Sequence, residues 1–309
     1  MLLGPGVGLD CAVVEFGSKL LVFKSDPITF ATGEIGWYAV QVNANDIATT
    51  GAIPSWFLMT LLLPEGGTTP QLVEEISEQV FKACEDIGVA VIGGHTEITN
   101  GLNRPILVGT LIGEVAKDKL ITPRGAQAGD RLLLTKGIPI EATTILAREF
   151  PDRLSEQLSL GEIAQARDFL YDPGISVMRE AHLAVGAGRV TAMHDPTEGG
   201  LSAALWELAE ACGKIIIFDP DAVPVLPLAG RICHLFGINP LDAIASGALL
   251  LTTPAEDLKQ ICAALEKEGV NCAEIGWVES GSPMVWRSTG AEKDIQPRPE
   301  RDAIAKLFD

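Results

Sequence analysis

The chain has 309 residues, 47% hydrophobic and 21% charged, enough to bury a sizeable core and, as a soft rule, to form two domains. Its formal net charge of −18 weighs against a nucleic-acid partner and an anionic membrane surface, since both need a basic footprint. It does not weigh against a nucleotide, because carboxylates can hold a metal ion that in turn holds phosphates.

The first residues, MLLGPGVGLD, form a glycine turn without a basic segment or a long apolar run. The expectation is therefore no targeting leader, no membrane span and a cytoplasmic location. Two β-type runs follow, CAVVEF and KLLVFKSD, split by Gly17 and Ser18 in a hairpin pattern. Residues 35–50 recur at helical spacing, with Gly51 and Pro54 closing the helix. WFLMTLLL, 56–63, reads as a buried strand, and 71–88 as an amphipathic helix. VAVIGG is expected to be a short strand ending in glycines, and RPILVGTLIGEV another strand.

The polar, turn-rich segment 123–131 marks a boundary between a domain at 1–120 and a second at 125–309. Beyond it, RLLLTKG, KIIIFD, SGALLLTT and EIGWVES read as strands separated by helices, one of them at 257–268. Alternating strands and amphipathic helices in both halves predict a mixed α/β class. The six cysteines, Cys11, Cys84, Cys212, Cys233, Cys262 and Cys272, form no C-x-x-C pair and read as reduced, buried thiols.

Five stretches carry chemistry. GVGLDCAVV holds Asp10 behind glycines. In FKSDPITF, Asp26 is expected to end a strand at the turn of Pro27. NANDIATTGAIP places Asn45 and Asp46 on a helix. GGHTE is expected to be a glycine-rich turn, Gly93 and Gly94 leading to His95, Thr96 and Glu97. MHDPTEGG supplies His194, Asp195, Thr197, Glu198, Gly199 and Gly200. Asp195 would cap a helix whose first turn holds both glycines, each costing about 1 kcal/mol relative to Ala. Carboxylates are the hard oxygen ligands Mg²⁺ prefers, and glycine turns let backbone N–H groups reach phosphates. Gly199 and Gly200 are thus expected to clear space for a phosphate at a helix N-terminus, with Asp195 a cap or a metal ligand. Taken together, the stretches point to a metal–nucleotide site, although P-loop and dinucleotide fingerprints are both missing. Lys136, in LLLTKG, is the candidate cation facing transferred phosphate. Glu141 either caps the helix it opens or faces the nucleotide.

The order SDP, ANDIATTGAIP, GGHTE, HDPTEGG and ASGALL resembles the superfamily of aminoimidazole ribonucleotide synthetase, selenophosphate synthetase, thiamine-monophosphate kinase and the hydrogenase maturation protein HypE. The stretch DPITFATGEIGWYAVQVNANDIATTGAIPSWFLMTLLLPEG looks most like HypE-type members. The resemblance implies two α/β domains, with N-terminal domains of two subunits pairing into a barrel-like homodimer core. It also implies ATP in a cleft, its phosphates held by Mg²⁺. The superfamily's metal-binding acids fall on Asp26, Asp46 and Asp195, with Glu97 a further ligand and Asn45 accompanying Asp46. Gly93, Gly94 and Thr96 match its glycine turn, and His95 matches selenophosphate synthetase. Where an acidic pair is common in the first turn, this chain has Asp10 alone. Where HypE ends in Pro-Arg-Ile-Cys, this sequence ends in AIAKLFD. The implied activity is ATP-dependent activation of an oxygen on a small molecule or protein-borne group, with a maturation partner protein. A non-catalytic nucleotide-binding scaffold and a small-molecule kinase are the alternatives.

Overall fold

A computed structural model describes the chain except for Met1, Pro5, Val7, Phe30, Ala31, Thr32, Ala291 and Asp309. It divides into two compact units. The first comprises Met1–Pro5 and Asp10–Leu120, the second Gly6–Leu9 and Ile121–Asp309.

The first unit runs β1 (Ala12–Phe16), β2 (Lys19–Ile28), α1 (Ile35–Thr49), β3 (Ile53–Pro64), α2 (Pro70–Asp86), β4 (Ala90–Thr99) and β5 (Ile106–Ala116). Its strands form an open sheet in the order β1-β2-β5-β3-β4, with β3 and β4 parallel and the other pairs antiparallel. Helix α1 packs across β2, β3 and β5, and α2 packs on α1. The period-2 pattern of β5 shows which sheet face is covered. Leu107, Leu111 and Val115 are buried, whereas Ile106, Val108 and Ile112 between them are half-buried. Helix α1 is buried nearly all round, including its polar Asn43, Asn45 and Asp46. Buried polar residues on a core helix are costly unless paired, and they mark α1 as more than packing. Helix α2 starts as its sequence suggests: the Thr69 hydroxyl accepts from the N–H of Leu72 at 3.2 Å, and Pro70 takes the first position.

Two elements of this unit differ from expectation. Asp26 and Pro27 do not end β2 but lie inside it, Pro27 opposite Val108. Among the described residues β1 pairs only as far as Phe23, which leaves this half of β2 at an edge where a proline is tolerated. GGHTE is not a turn either. It continues β4, and Gly94 lies opposite Met59, where a Cβ would sit 1.9 Å from the Met59 carbonyl oxygen. Close strand approach, not a loop, accounts for that glycine.

The second unit runs β6 (Arg131–Thr135), α3 (Ile140–Glu149), α4 (Pro151–Ser155), α5 (Leu160–Asp168), α6 (Met178–Ala187), β7 (Ala192–His194), α7 (Gly200–Cys212), β8 (Ile215–Phe218), α8 (Pro227–Phe236), β9 (Leu250–Thr253), α9 (Leu258–Lys267), β10 (Cys272–Glu279), β11 (Met284–Thr289) and β12 (Glu292–Ile295). The strand order is β12-β11-β8-β10-β6-β9-β7, antiparallel except for β11 with β8. Leu201, Leu205 and Leu208 of α7 join Leu132, Leu134, Ile216 and Phe218 of the sheet in one core. Among the described residues, no helix is long and apolar enough to cross a membrane.

Candidate functional site

In the first unit, β2 places Lys24 and Asp26 two residues apart, hence on one face of the strand. Helix α1 brings Asp46 to the same point. The Lys24 Nζ lies 2.8 Å from Oδ2 of Asp46 and 3.0 Å from Oδ2 of Asp26. Lys24 keeps 13% of its side chain exposed and Asp46 only 5%, so the pairing is largely shielded from water. Burial opposes the ammonium charge. The carboxylates of Asp46 and Asp26, with help from the negative charge of Asp10, outweigh it and hold the Lys24 pKa above its ordinary value. Asn43 fixes the geometry: its Oδ1 accepts from the Asp26 N–H at 3.1 Å, while its Nδ2 donates to the Ala39 carbonyl at 2.8 Å.

Two hard oxygen donors meeting at one buried cation are the ligand chemistry that Mg²⁺ takes from protein carboxylates. The lysine ammonium is a stand-in that marks where positive charge is favoured. Asp26 and Asp46 therefore fit a divalent ion by donor type. Asn45 is fully buried on α1. His95, Thr96 and Glu97 lie on the exposed edge strand β4, His95 Nε2 at 3.6 Å from Oε2 of Glu97. Lys24 and Asn43 were not among the expected site residues. The K-S-D spacing on a strand was the available signal for Lys24.

In the second unit, MHDPTEGG departs from its capped-helix reading. Helix α7 starts at Gly200, with Gly199 as its N-cap in the left-handed region, φ +79°. The Gly199 N–H donates to Oδ2 of Asp302 at 2.7 Å, and the Gly200 N–H donates to the Thr197 carbonyl at 2.9 Å. Both amides expected to face phosphate are thus engaged within the chain. A Cβ at Gly200 would meet the carbonyl oxygens of Ala243 and Leu241 at 2.5 and 2.6 Å, so the glycine serves chain packing. His194 is buried in β7, its Nε2 2.7 Å from Oε2 of Glu207.

Lys136 is also committed. Its Nζ donates to the carbonyls of Gly174 at 2.9 Å and Ser176 at 2.6 Å, and meets Oε1 of Glu180 at 3.0 Å. All three ammonium hydrogens are used, which makes this lysine a structural tie rather than the expected phosphate cation. Burial lowers its pKa, with Glu180 acting against that shift.

Glu141 stands in the first turn of α3, buried, with no hydrogen-bond partner for Oε2 among the described residues. Burial lifts its pKa to about 7. Ser246 pulls the other way, and the charges of Glu198, Asp302 and Asp195 add to the rise. The native state thus keeps a proton that the unfolded chain releases near pH 4.5. Stability falls as pH rises through about 4.5 to 7 and levels off above. Glu141→Gln is expected to raise stability at pH 8 by up to about 3 kcal/mol and to leave it nearly unchanged at pH 4. Thermal unfolding of both forms across pH 4–8 checks this, and parallel pH profiles would refute it.

The cysteines are less uniform than expected: Cys11, Cys84 and Cys233 are buried, whereas Cys212, Cys262 and Cys272 are partly exposed.

These features define a two-domain mixed α/β protein in which two carboxylates of the first unit gather at one lysine ammonium. The family follows from comparison. Residues 8–115 match the N-terminal domain, and residues 127–285 the C-terminal domain, of AIR synthase related proteins; the chain belongs to that family and is HypE-like within it. It is 29% identical to a candidate hydrogenase expression/formation protein of Methanocaldococcus jannaschii, covering 98% of this chain and 90% of that one. It is 30% identical to the carbamoyl dehydratase HypE of Escherichia coli K12, covering 87% of this chain and 79% of the relative. A crystal structure of hydrogenase maturation protein HypE in complex with ATP superposes with a TM-score of 0.77 at 25% identity, over 91% of this chain and 86% of that one.

Proposed function

We propose that the chain is an ATP- and Mg²⁺-dependent enzyme that activates an oxygen of a small molecule or protein-borne group by phosphoryl transfer, in hydrogenase or other metalloenzyme maturation. The observation that carries this reading is the convergence of Asp26 and Asp46 on one shielded cation. The similarity to HypE bound to ATP and to a carbamoyl dehydratase supports it. Mg²⁺, when bound, would neutralise phosphate charge as the γ-phosphoryl group moves.

Asp46, Asp26 and Asp10 would supply its carboxylates from the first unit, with Asn45 beside them. Glu97 is the further ligand proposed in the first unit, and Asp195 is the acid proposed as a ligand in the second. Gly93, Gly94, His95 and Thr96 of β4 are the nucleotide contacts proposed in the first unit; Thr197 and Glu141 are those proposed in the second. On a carbamoyl group, phosphorylating the amide oxygen turns it into a leaving group. Departure of phosphate with loss of the two N–H protons leaves a nitrile, so ATP carries off the elements of water. Incubating the protein with Mg²⁺–ATP and a carbamoylated thiol tests this reading. Phosphate release with a nitrile band in the infrared supports it, and ATP binding without turnover on any acceptor refutes it. The commitment of Lys136 to Glu180 favours the scaffold reading, in which nucleotide binds without transfer.

The half-buried face of the first sheet is proposed to pair with a second copy. Leu58 and Leu62 of β3 share the half-buried pattern of β5, and the edge strand β4 leaves Ile92 and Ile98 more than half exposed. An apolar sheet face beside an unpaired edge favours association. Leu58→Asp is expected to convert a dimer to a monomer in sedimentation. A wild-type monomer, or a dimeric variant, would refute the pairing.

A further inference from the structure

The two carboxylates that a divalent ion would need are already joined by a cation. The ammonium of Lys24 touches Oδ2 of both Asp26 and Asp46, and its side chain is largely buried. Mg²⁺ binds carboxylate oxygens at about 2.0–2.1 Å, so an ion that took both Oδ2 atoms would need the place the ammonium holds. Both cations cannot hold those two oxygens at once. Dislodging a shielded ammonium strips it of two ion pairs, which makes the exchange unfavourable for a metal that brings no new partner. A polyphosphate changes the balance. It brings oxygens that complete the metal's shell and negative charge that can receive the displaced ammonium.

We infer that Lys24 is a resident counter-ion that excludes free divalent metal from the Asp26–Asp46 pair and yields only to metal arriving with a polyphosphate. Metal and nucleotide binding are then coupled through one side chain. The polyphosphate half of this inference rests on the proposed ATP site; the exclusion of free metal does not. Lys24 acts here as a positioning residue, and its signature is a metal affinity, not a rate.

Mn²⁺ binding without nucleotide, followed by electron paramagnetic resonance and titration calorimetry, reads the first half directly. Lys24→Met keeps the apolar stem and removes the charge. It is expected to bind Mn²⁺ at least about tenfold more tightly than wild type, because two carboxylates left facing each other favour a cation strongly. Adding Asp46→Asn to that variant should erase the gain. Equal or weaker Mn²⁺ binding by folded Lys24→Met would overturn the inference. Should Lys24→Met fold poorly, Mn²⁺ must rescue it, and Lys24→Arg must fold without metal; failure of either also overturns it.

The second half is read with a non-hydrolysable ATP analogue. The analogue should tighten Mn²⁺ binding more in wild type than in Lys24→Met. Equal tightening refutes the coupling. If the analogue binds neither form while the Mn²⁺ gain persists, the ATP reading and the coupling fall, and the exclusion of free metal stands.

Discussion

Asp46→Asn is expected to lower Mg²⁺–ATP turnover by at least about 100-fold, the scale on which loss of a preorganised charge at a phosphoryl-transfer centre is felt. Asn preserves the size of the side chain and one oxygen but removes the negative charge. Asp46 has little access to water, so no solvent ion readily replaces that charge. The fold should survive. The carbonyl of Asp46, not its carboxylate, accepts from the Thr49 hydroxyl at 2.8 Å and from the Cys11 thiol at 3.3 Å, so α1 keeps its local ties. Asp26→Asn should cost less, since Asp26 is 32% exposed and water can partly compensate. ADP release, with circular dichroism as the check on folding, decides the matter. Full turnover in folded Asp46→Asn would remove this carboxylate from the mechanism.

Gly200→Ala is expected to destabilise the second unit by at least about 3 kcal/mol. Two costs combine. The residue sits at φ +59°, a region that penalises side chains, and the new Cβ would lie 2.5 Å from the Ala243 carbonyl oxygen and 2.6 Å from that of Leu241. Backbone atoms cannot swing aside as a flexible side chain can, so α7 and the 241–243 segment must separate. Gly213 is the matched control. It ends α7 at φ +69°, and a Cβ added there would meet none of the described residues within 4 Å, so Gly213→Ala should cost about 1–2 kcal/mol from backbone conformation alone. Urea unfolding of both variants measures the difference. Equal losses would show that the close approach to 241–243 is unimportant.

Much of the fold is legible because its elements are periodic. The apolar and charged faces of α2, the Gly17–Ser18 hairpin and the apolar run of β3 each carry a local signal that the structure matches. What was not legible depends on distant partners. Glycines in GGHTE favour a turn, yet the register with Met59 makes them strand. Asp195 imitates a helix cap, but the N–H of Gly199 is satisfied by Asp302, 103 positions away, which no local pattern announces. Asp26 and Asp46 could be singled out as acids, whereas their meeting at Lys24 needs α1 laid over β2. Lys136 shows the converse. A lysine at the end of a strand suits a phosphate contact, and only the return of the chain through Gly174, Ser176 and Glu180 reveals its commitment.

A crystal structure with Mn²⁺ and a non-hydrolysable ATP analogue, read by anomalous scattering, decides whether Asp26 and Asp46 hold the metal of a bound nucleotide. The expected result is a Mn²⁺ peak bonded to carboxylate oxygens of Asp26 and Asp46, the analogue's phosphates on the same ion, and the Lys24 ammonium moved off the pair. Nucleotide bound elsewhere, or Mn²⁺ absent from those two carboxylates with nucleotide in place, would contradict it.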